Sequence, residues 1–328
     1  MGKIRCSIVG LGRIGSLLEE DKLREKPCTH AGAIVKNRSC VLAAGCDIKR
    51  ERQELFSRRW GCPRVYADID DMLSEVPTDV LHIATPPETH RLLVERALSH
   101  DVRVIVCEKP LAPTSSEALK IANFHASGKA KILTNHERRY SGNYLMVKRR
   151  IERAPFGHLL SIQARLFMGE RVPVTDVLLE DGTHLVDIIQ FLSGQMLCLS
   201  AVELYAGRLH ESLFVICRAG EVPAVMEIGS GRNYIDFELD LSFERGRIRI
   251  GNGLYEEYRS GKSPYYEKMS SLLRTGAAGP AVTGYFTRML RDAVACFRDE
   301  ARMPVSSALD GYRTVAFIDA VKKKLGSM

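Results

Sequence analysis

Two short stretches of this chain hold residue types that could move a proton. LLEDGTHLVD, residues 178–187, places Glu180 and Asp181 four and three positions before His184, with Asp187 three beyond it. A histidine titrates near neutrality and suits general acid–base work when a carboxylate orients it. At about 100° per residue, Leu178, Leu185, Ile189 and Leu192 share one apolar stripe, Glu180 falls about 40° from His184, and Asp181 about 60° toward the stripe. Phase favours Glu180 as partner and keeps Asp181 as the alternative, while Asp187 reads as structural. The second stretch, VCEKPLAPTSSEA, puts Glu108, Lys109 and Pro110 directly after an apolar run. A lysine there can hydrogen-bond a substrate hydroxyl, Glu108 can orient it, and Pro110 would fix the backbone, through a cis bond if need be. The plain alternatives are a solvated strand end for Lys109 and a structural histidine for His184.

The elements that would position these groups begin at the N-terminus. KIRCSIVGLGRIGSLLEE is a short apolar run, then Gly10, Gly12 and Gly15 as G-x-G-x-x-G around Arg13 and Ile14, then Leu17 and Leu18 at helical spacing. Strand, glycine turn and helix in that order are the context of a dinucleotide fingerprint, in which a pyrophosphate sits on the turn. CVLAAGCDIKR ends a second apolar run at Asp47, followed by Ile48. An acid there accepts from ribose hydroxyls and repels a 2′-phosphate, so NAD is expected and NADP less so. Asp47 comes 32 residues after Gly15, against about 20 usually. The excess is a polar insertion, EEDKLREKPCT, before HAGAIVKN, where His30 reads as a helix-start residue. Lys49 and Arg50, just past Asp47, could instead hold a phosphate.

Strands then alternate with helices: TDVLHIATPPETH, the amphipathic run containing His90, VRVIVCEKP, a helix capped at Ser115 or Ser116, and AKILTNHERRY. This alternation predicts a doubly wound parallel sheet with ligands beyond its carboxyl ends. Thr85, Pro86, Pro87, Glu108, Lys109, Pro110, Asn135 and His136 fall there. Past Tyr140 come a helix, six strand-like runs, a hairpin turn at Glu244-Arg245-Gly246 and two closing helical patterns.

A length of 328 residues predicts two domains, set at 1–137 and 138–328. No apolar run reaches membrane-span length, and the first residues lack a secretory signal pattern. The nine cysteines are odd in number and scattered, with no Cys-x-x-Cys, which predicts a reducing cytoplasm and no structural metal site. The net charge of +7 is modest for this length and no nucleic-acid motif appears. The basic stretch HERRYSGNYLMVKRRIER is either a solvated helix face or a wall near an anionic substrate.

GLGRIG, HIATPPETH, CEKPLAPT, NHERRY and EDGTHLVD occur in an order and at a spacing that resemble the glucose-fructose oxidoreductase / inositol dehydrogenase (Gfo/Idh/MocA) family over residues 4–325. The resemblance implies an α/β fold: an N-terminal Rossmann domain and a C-terminal α+β domain with a large open, mostly antiparallel sheet that pairs copies into dimers or tetramers. It implies an NAD-dependent dehydrogenase acting on a carbinol of a sugar, cyclitol or nucleotide-sugar. Lys109 and His184 match the family's active-site lysine and catalytic histidine. Glu180 stands where the family has Asp in Asp-x-Gly-x-His, with Asp181 at the variable position. Arg139 and Tyr140 match a basic-aromatic pair near the substrate, where they would contact substrate hydroxyls or an anionic group. Relatives also include hydrolases that use NAD transiently and a non-catalytic NAD-binding regulator; retention of Lys109 and His184 argues against the latter.

Overall fold

The protein is described by a computed structural model covering residues 2–169 and 171–327. The chain divides into two units. One runs to Ser141 and takes in Val282–Val315; the other holds Gly142–Ala281 and the segment from Ala316 onward. The first boundary lies near the expected one at 137/138, but the C-terminal region does not stay in the second domain. The reason is the helix Tyr285–Arg298. Its Phe286, Met289, Leu290, Ala293 and Val294 recur at helical spacing and are buried in one core with Ile4, Cys6, Ile8 and Ile34 of the first unit. The second division falls inside the last helix, Ala308–Gly326.

The first unit is built on six parallel strands: β1 (Ile4–Val9), β2 (Cys40–Cys46), β3 (Val65–Tyr66), β4 (Val80–Ile83), β5 (Val104–Cys107) and β6 (Lys131–Thr134). Their order is β3-β2-β1-β4-β5-β6, so the winding reverses between β1 and β4. Most side chains of β1, β4 and β5 are buried, and these strands are accordingly near-continuous apolar runs. His82, in the middle of β4, is the exception.

The glycine turn differs from expectation in an instructive way. No long helix follows it directly. A short 3-10 helix, Leu17–Glu20, is followed by a loop, and the helix proper is His30–Lys36. Yet the amides of His30 and Ala31 donate to the carbonyls of Ile14 and Gly15 at 3.1 and 3.0 Å. The second helix is thus docked on the turn as if it continued it. Glu19 secures the return: its carboxylate accepts from Cys28 N and Thr29 Oγ1, and Thr29 caps Gly32 N. Glu25 accepts from Thr283 and Gly284 at the start of Tyr285–Arg298. The polar insertion is therefore tied down at both ends. The cap of Ser115–Ala126 is Thr114, one residue before the expected serines, because its hydroxyl reaches Glu117 N.

The second unit carries an eight-stranded sheet: β7 (Leu159–Phe167), β8 (Leu197–Ala206), β9 (Glu211–Ala219), β10 (Val222–Ser230), β11 (Asp236–Phe243), β12 (Gly246–Gly251), β13 (Leu254–Lys262) and β14 (Ser270–Arg274). The order is β14-β13-β12-β11-β7-β10-β9-β8, antiparallel except for β7 beside β10. The first six strands of this sheet match the expected runs, and β11 turns into β12 at Glu244-Arg245. Strands β13 and β14 were not anticipated, since LYEEYRSGK and SSLLR are too polar to read as buried. One face packs Ile162, Ala164, Val215, Met226, Leu239 and Ile248 into a core with Leu185, Ile188, Ile189 and Leu192 of the helix Gly182–Ser193. On β11 the alternation holds, and the opposite face is laced with ion pairs: Arg249 with Glu238 and Glu256, and Arg247 with Asp240.

Candidate active site

The carboxyl ends of β1, β2, β4, β5 and β6 gather every cofactor residue expected from the sequence. Gly10 has φ +91°, and a Cβ there would lie 2.5 Å from Ala84 O at the end of β4. At Gly15 a Cβ would lie 2.0 Å from Gly10 O. Neither position accepts a side chain, so the turn folds tightly onto the point where the winding reverses. The amides of Gly12, Arg13 and Ile14 donate to no group among the described residues, and Arg13 is exposed. Three free amides on a glycine turn form the cradle that a pyrophosphate fills.

Asp47 is buried at the end of β2, with Oδ2 accepting from Leu11 N at 2.9 Å and Oδ1 from Lys49 N at 2.9 Å. It therefore braces the turn from the carboxyl end of β2. Arg52, not the anticipated Lys49 or Arg50, is the cation beside it, at 3.3 Å. Ile48 is exposed next to it. Thr85 hydrogen-bonds Thr89 in the Pro-Pro turn, and His90 bridges Thr85 O and Leu111 O. His90 thus ties two strand ends together from a buried position. The residues present fit NAD.

Lys109 is half-buried just past β5, and its bond to Pro110 is cis. Behind it lies a buried network absent from the sequence reading. Glu108 Oε1 accepts from Asn135 Nδ2 at 2.6 Å and pairs with His30 Nε2 at 2.8 Å; Oε2 accepts from Lys109 N at 3.2 Å. His30 Nδ1 meets His82 Nδ1 at 2.9 Å, and the His30 ring stands edge-on to Phe286. Burial alone would raise the Glu108 pKa, but His30, Asn135 and Lys109 hold it below the ordinary carboxylate range. Burial, with His30 adding to it, pushes His82 well below the usual imidazole value, so His82 is neutral. Glu137, two residues past Asn135, is pushed the other way. Its burial, reinforced by Glu108, raises its pKa against the pull of Arg138 and Lys109. A carboxyl with a raised pKa near a lysine is a candidate for proton transfer. Glu137 lies inside NHERRY, where nothing in the flanking basic residues marks it as buried.

Two sequence expectations fail here. Arg139 is buried; it donates to Val305 O at 3.0 Å and pairs with Asp310 at 3.3 Å. Tyr140 is buried and its hydroxyl bonds Asp292 at 3.1 Å. Both fasten the segment after β6 to Val282–Val315, so neither is placed to contact substrate as expected. A basic-aromatic pair looks alike in sequence whether it faces solvent or core. His136 is likewise buried.

In the second unit the stretch 178–187 spans two helices. Val174–Glu180 ends and Gly182–Ser193 begins at Asp181, where His184 N bonds Asp181 O and Thr183 Oγ1 bonds Glu180 O. Helical phase counted through that junction does not discriminate between the acids. Glu180 and Asp181 both line one cavity of about 480 Å³, with Asp176, Arg232, Tyr234, Met168 and others. His184 is half-buried beyond them and Asp187 is buried. Arg232 is already engaged: it bonds Glu227 at 2.7 Å and Ser212 at 2.8 Å and lies 3.7 Å over the Phe167 ring. Among the described residues, three acids and Arg232 line this cavity, and Arg232 is paired with Glu227. Asp176, Arg232 and Tyr234 had no motif to mark them.

The comparisons with known proteins follow the same lines. Residues 4–136 match the oxidoreductase family described as having an NAD-binding Rossmann fold, GFO_IDH_MocA. The inositol 2-dehydrogenase of Salmonella typhimurium is 26% identical over 263 residues, 75% of this chain and 74% of that protein. The inositol 2-dehydrogenase of Acidothermus cellulolyticus is 24% identical over 341 residues, 99% of this chain and 93% of that protein. An oxidoreductase structure from Agrobacterium radiobacter in complex with NAD+, L-tartaric acid and magnesium shares the fold, with a TM-score of 0.77 at 17% identity over 99% of this chain and 96% of that one. With the glycine cradle, the acid at the end of β2 and the lysine past β5 all in position, residues 4–136 match the NAD-binding Rossmann fold of the GFO_IDH_MocA oxidoreductase family, and the chain as a whole is similar to inositol 2-dehydrogenases.

Proposed function

We propose that the protein transfers hydride between NAD and a carbinol carbon of a neutral polyhydroxylated substrate, a sugar or a cyclitol. The observation that carries this reading is the strand-end assembly: free glycine-turn amides, Asp47 and a lysine anchored through Glu108, all on one sheet edge. Bound NAD supplies the hydride acceptor at its nicotinamide. In oxidation, Lys109 hydrogen-bonds the reacting hydroxyl and steadies the developing oxygen charge, and His184 takes the hydroxyl proton. Glu180 or Asp181 orients the imidazole. Of the two, Glu180 has the family's spacing.

The acid-lined cavity of the second unit favours neutral substrates. Carboxylates accept from sugar hydroxyls but repel uronates and phosphates. That ranks a nucleotide-sugar below a free sugar or cyclitol, as does the inward-facing Arg139. The inositol 2-dehydrogenase relatives point the same way. The test is NADH formation across inositols, neutral sugars, uronates and nucleotide-sugars, with NAD and NADP compared. Turnover confined to anionic substrates sinks the substrate assignment, and release of a free sugar without net NADH sinks the dehydrogenase reading.

We further place the protein in a reducing cytoplasm, on the strength of nine free cysteines, and as a dimer or tetramer of identical copies. Phe214, Ile216 and Val225 are exposed together on the open sheet face beside the ion-pair ladder, the composition of a self-pairing surface. No helix among the described residues is long and apolar enough to cross a membrane.

A further inference from the structure

His30 is the residue of the first unit that touches both ends of the chemistry. Through its backbone, it and Ala31 hang from the carbonyls of Ile14 and Gly15 in the glycine turn. Through its side chain it reaches Glu108 at 2.8 Å, and Glu108 in turn accepts from Lys109 N at 3.2 Å. The polar insertion makes this possible. It ends at the Thr29 cap, which sets the first turn of the helix, and Glu19 and Glu25 pin the insertion to that helix and to Thr283-Gly284. A partner histidine fixes the ring. His82 Nε2 is buried and has no hydrogen-bond partner, and an orphaned acceptor is cheaper than an orphaned N–H. We therefore assign His82 the tautomer with hydrogen on Nδ1. It donates to His30 Nδ1, and His30 donates from Nε2 to Glu108.

We propose that His30 is a positioning residue, a strut that sets the Glu108–Lys109 turn from the glycine turn, so that the lysine's placement depends on the state of the cofactor cradle. This goes beyond the reading of the active site and rests on it in one respect, that Lys109 serves turnover. The groups facing Glu108 are His30, His90, Cys107, Lys109, Asn135 and Glu137, with His82 behind His30. Of these, His30 heads the groups that keep Glu108 ionised.

The experiment compares His30→Leu, which removes the donor, with His30→Gln, which keeps an N–H at similar reach. In steady-state kinetics His30→Leu lowers kcat about 10- to 100-fold, the scale of a displaced catalytic group. Its KM for NAD changes far less, and the acid limb of its kcat–pH profile moves to higher pH. His30→Gln recovers most of the rate and the wild-type limb. Hydrogen exchange gives a readout that needs no substrate: NAD protects the 107–111 backbone in the wild type and in His30→Gln, but not in His30→Leu. A folded His30→Leu with wild-type kcat and acid limb, or a His30→Gln as impaired as His30→Leu, overturns the proposal. If His30→Leu does not fold, His82→Leu carries the comparison, because it removes the donor to His30. An unchanged acid limb and unchanged exchange there overturn the proposal too. If no carbinol substrate is oxidised by any form, the functional reading fails, while the exchange result still decides the role of His30.

Discussion

The two regions proposed to hold the chemistry are built to opposite designs. Around Lys109 the side chains are buried and bonded before any ligand arrives: Glu108, Asn135, His30 and His82 hold one another at 2.6–2.9 Å. Before His184, Glu180 and Asp181 line an open cavity, and Arg232 in that lining is paired with Glu227. The first site is shared by every reaction of an NAD enzyme, so it can be fixed in advance. The second is proposed to admit a substrate and release a product, and its lining is correspondingly open. Rigidity sits where the cofactor is constant and openness where the substrate is variable.

The comparison is tested hardest by removing the two groups proposed to do the chemistry. Lys109→Ala and His184→Ala should each lower kcat by about 10²–10⁴-fold with the fold intact, read by steady-state kinetics and circular dichroism. If the designs differ as described, changes behind Lys109 should also cost stability, whereas changes at Glu180 should not. Glu108→Ala orphans the donors of His30 and Asn135, at about 1–3 kcal/mol for each group left buried, seen as a lower denaturant midpoint. Acidification tests the same carboxylate. Its folded pKa lies below the unfolded one, so its stabilisation is present above the unfolded value and is lost as pH falls through the folded value. Melting temperature should therefore drop on acidification through and below the ordinary glutamate range, and Glu108→Gln should flatten that drop.

The open site should show the converse pattern. Glu180→Gln is expected to lower kcat about 10-fold with no change in melting temperature, and Asp181→Asn to change kcat less than about 3-fold. The reverse order would give the partner role to Asp181. Smallest is Thr114→Ala, which removes the cap of Ser115–Ala126 and should cost about 1 kcal/mol without touching kinetics.

The sequence made the rigid site legible in outline because its parts are local. Glycines at fixed spacing and an acid–lysine–proline triplet after a strand declare themselves within a dozen residues. The bonds that fix the triplet are not local: His30, His82 and Asn135 reach Glu108 from three other segments, and nothing in HAGAIVKN or VLHI marks those histidines as partners. The interrupted helix shows the same limit. The periodicity of HAGAIVKN was visible, but its docking onto Ile14 and Gly15 depends on contacts of Glu19 and Glu25 made across the insertion. The sheet of the second unit was readable where strands alternate, as in β11. It failed at β13 and β14, whose polar residues serve an ion-paired face. The return of Tyr285–Arg298 to the first unit was invisible because an apolar stripe does not name the core it enters. The same ambiguity misplaced Arg139 and Tyr140, whose partners Val305, Asp310 and Asp292 all lie in that returning segment.

The most direct test of the central claim is the absorbance of NADH formed from a panel of neutral polyols and their anionic counterparts by the wild type, Lys109→Ala and His184→Ala. Stoichiometric NADH and a carbonyl product from a neutral sugar or cyclitol, lost in both variants, is the predicted result. Undiminished turnover of every accepted substrate in both variants would contradict the account.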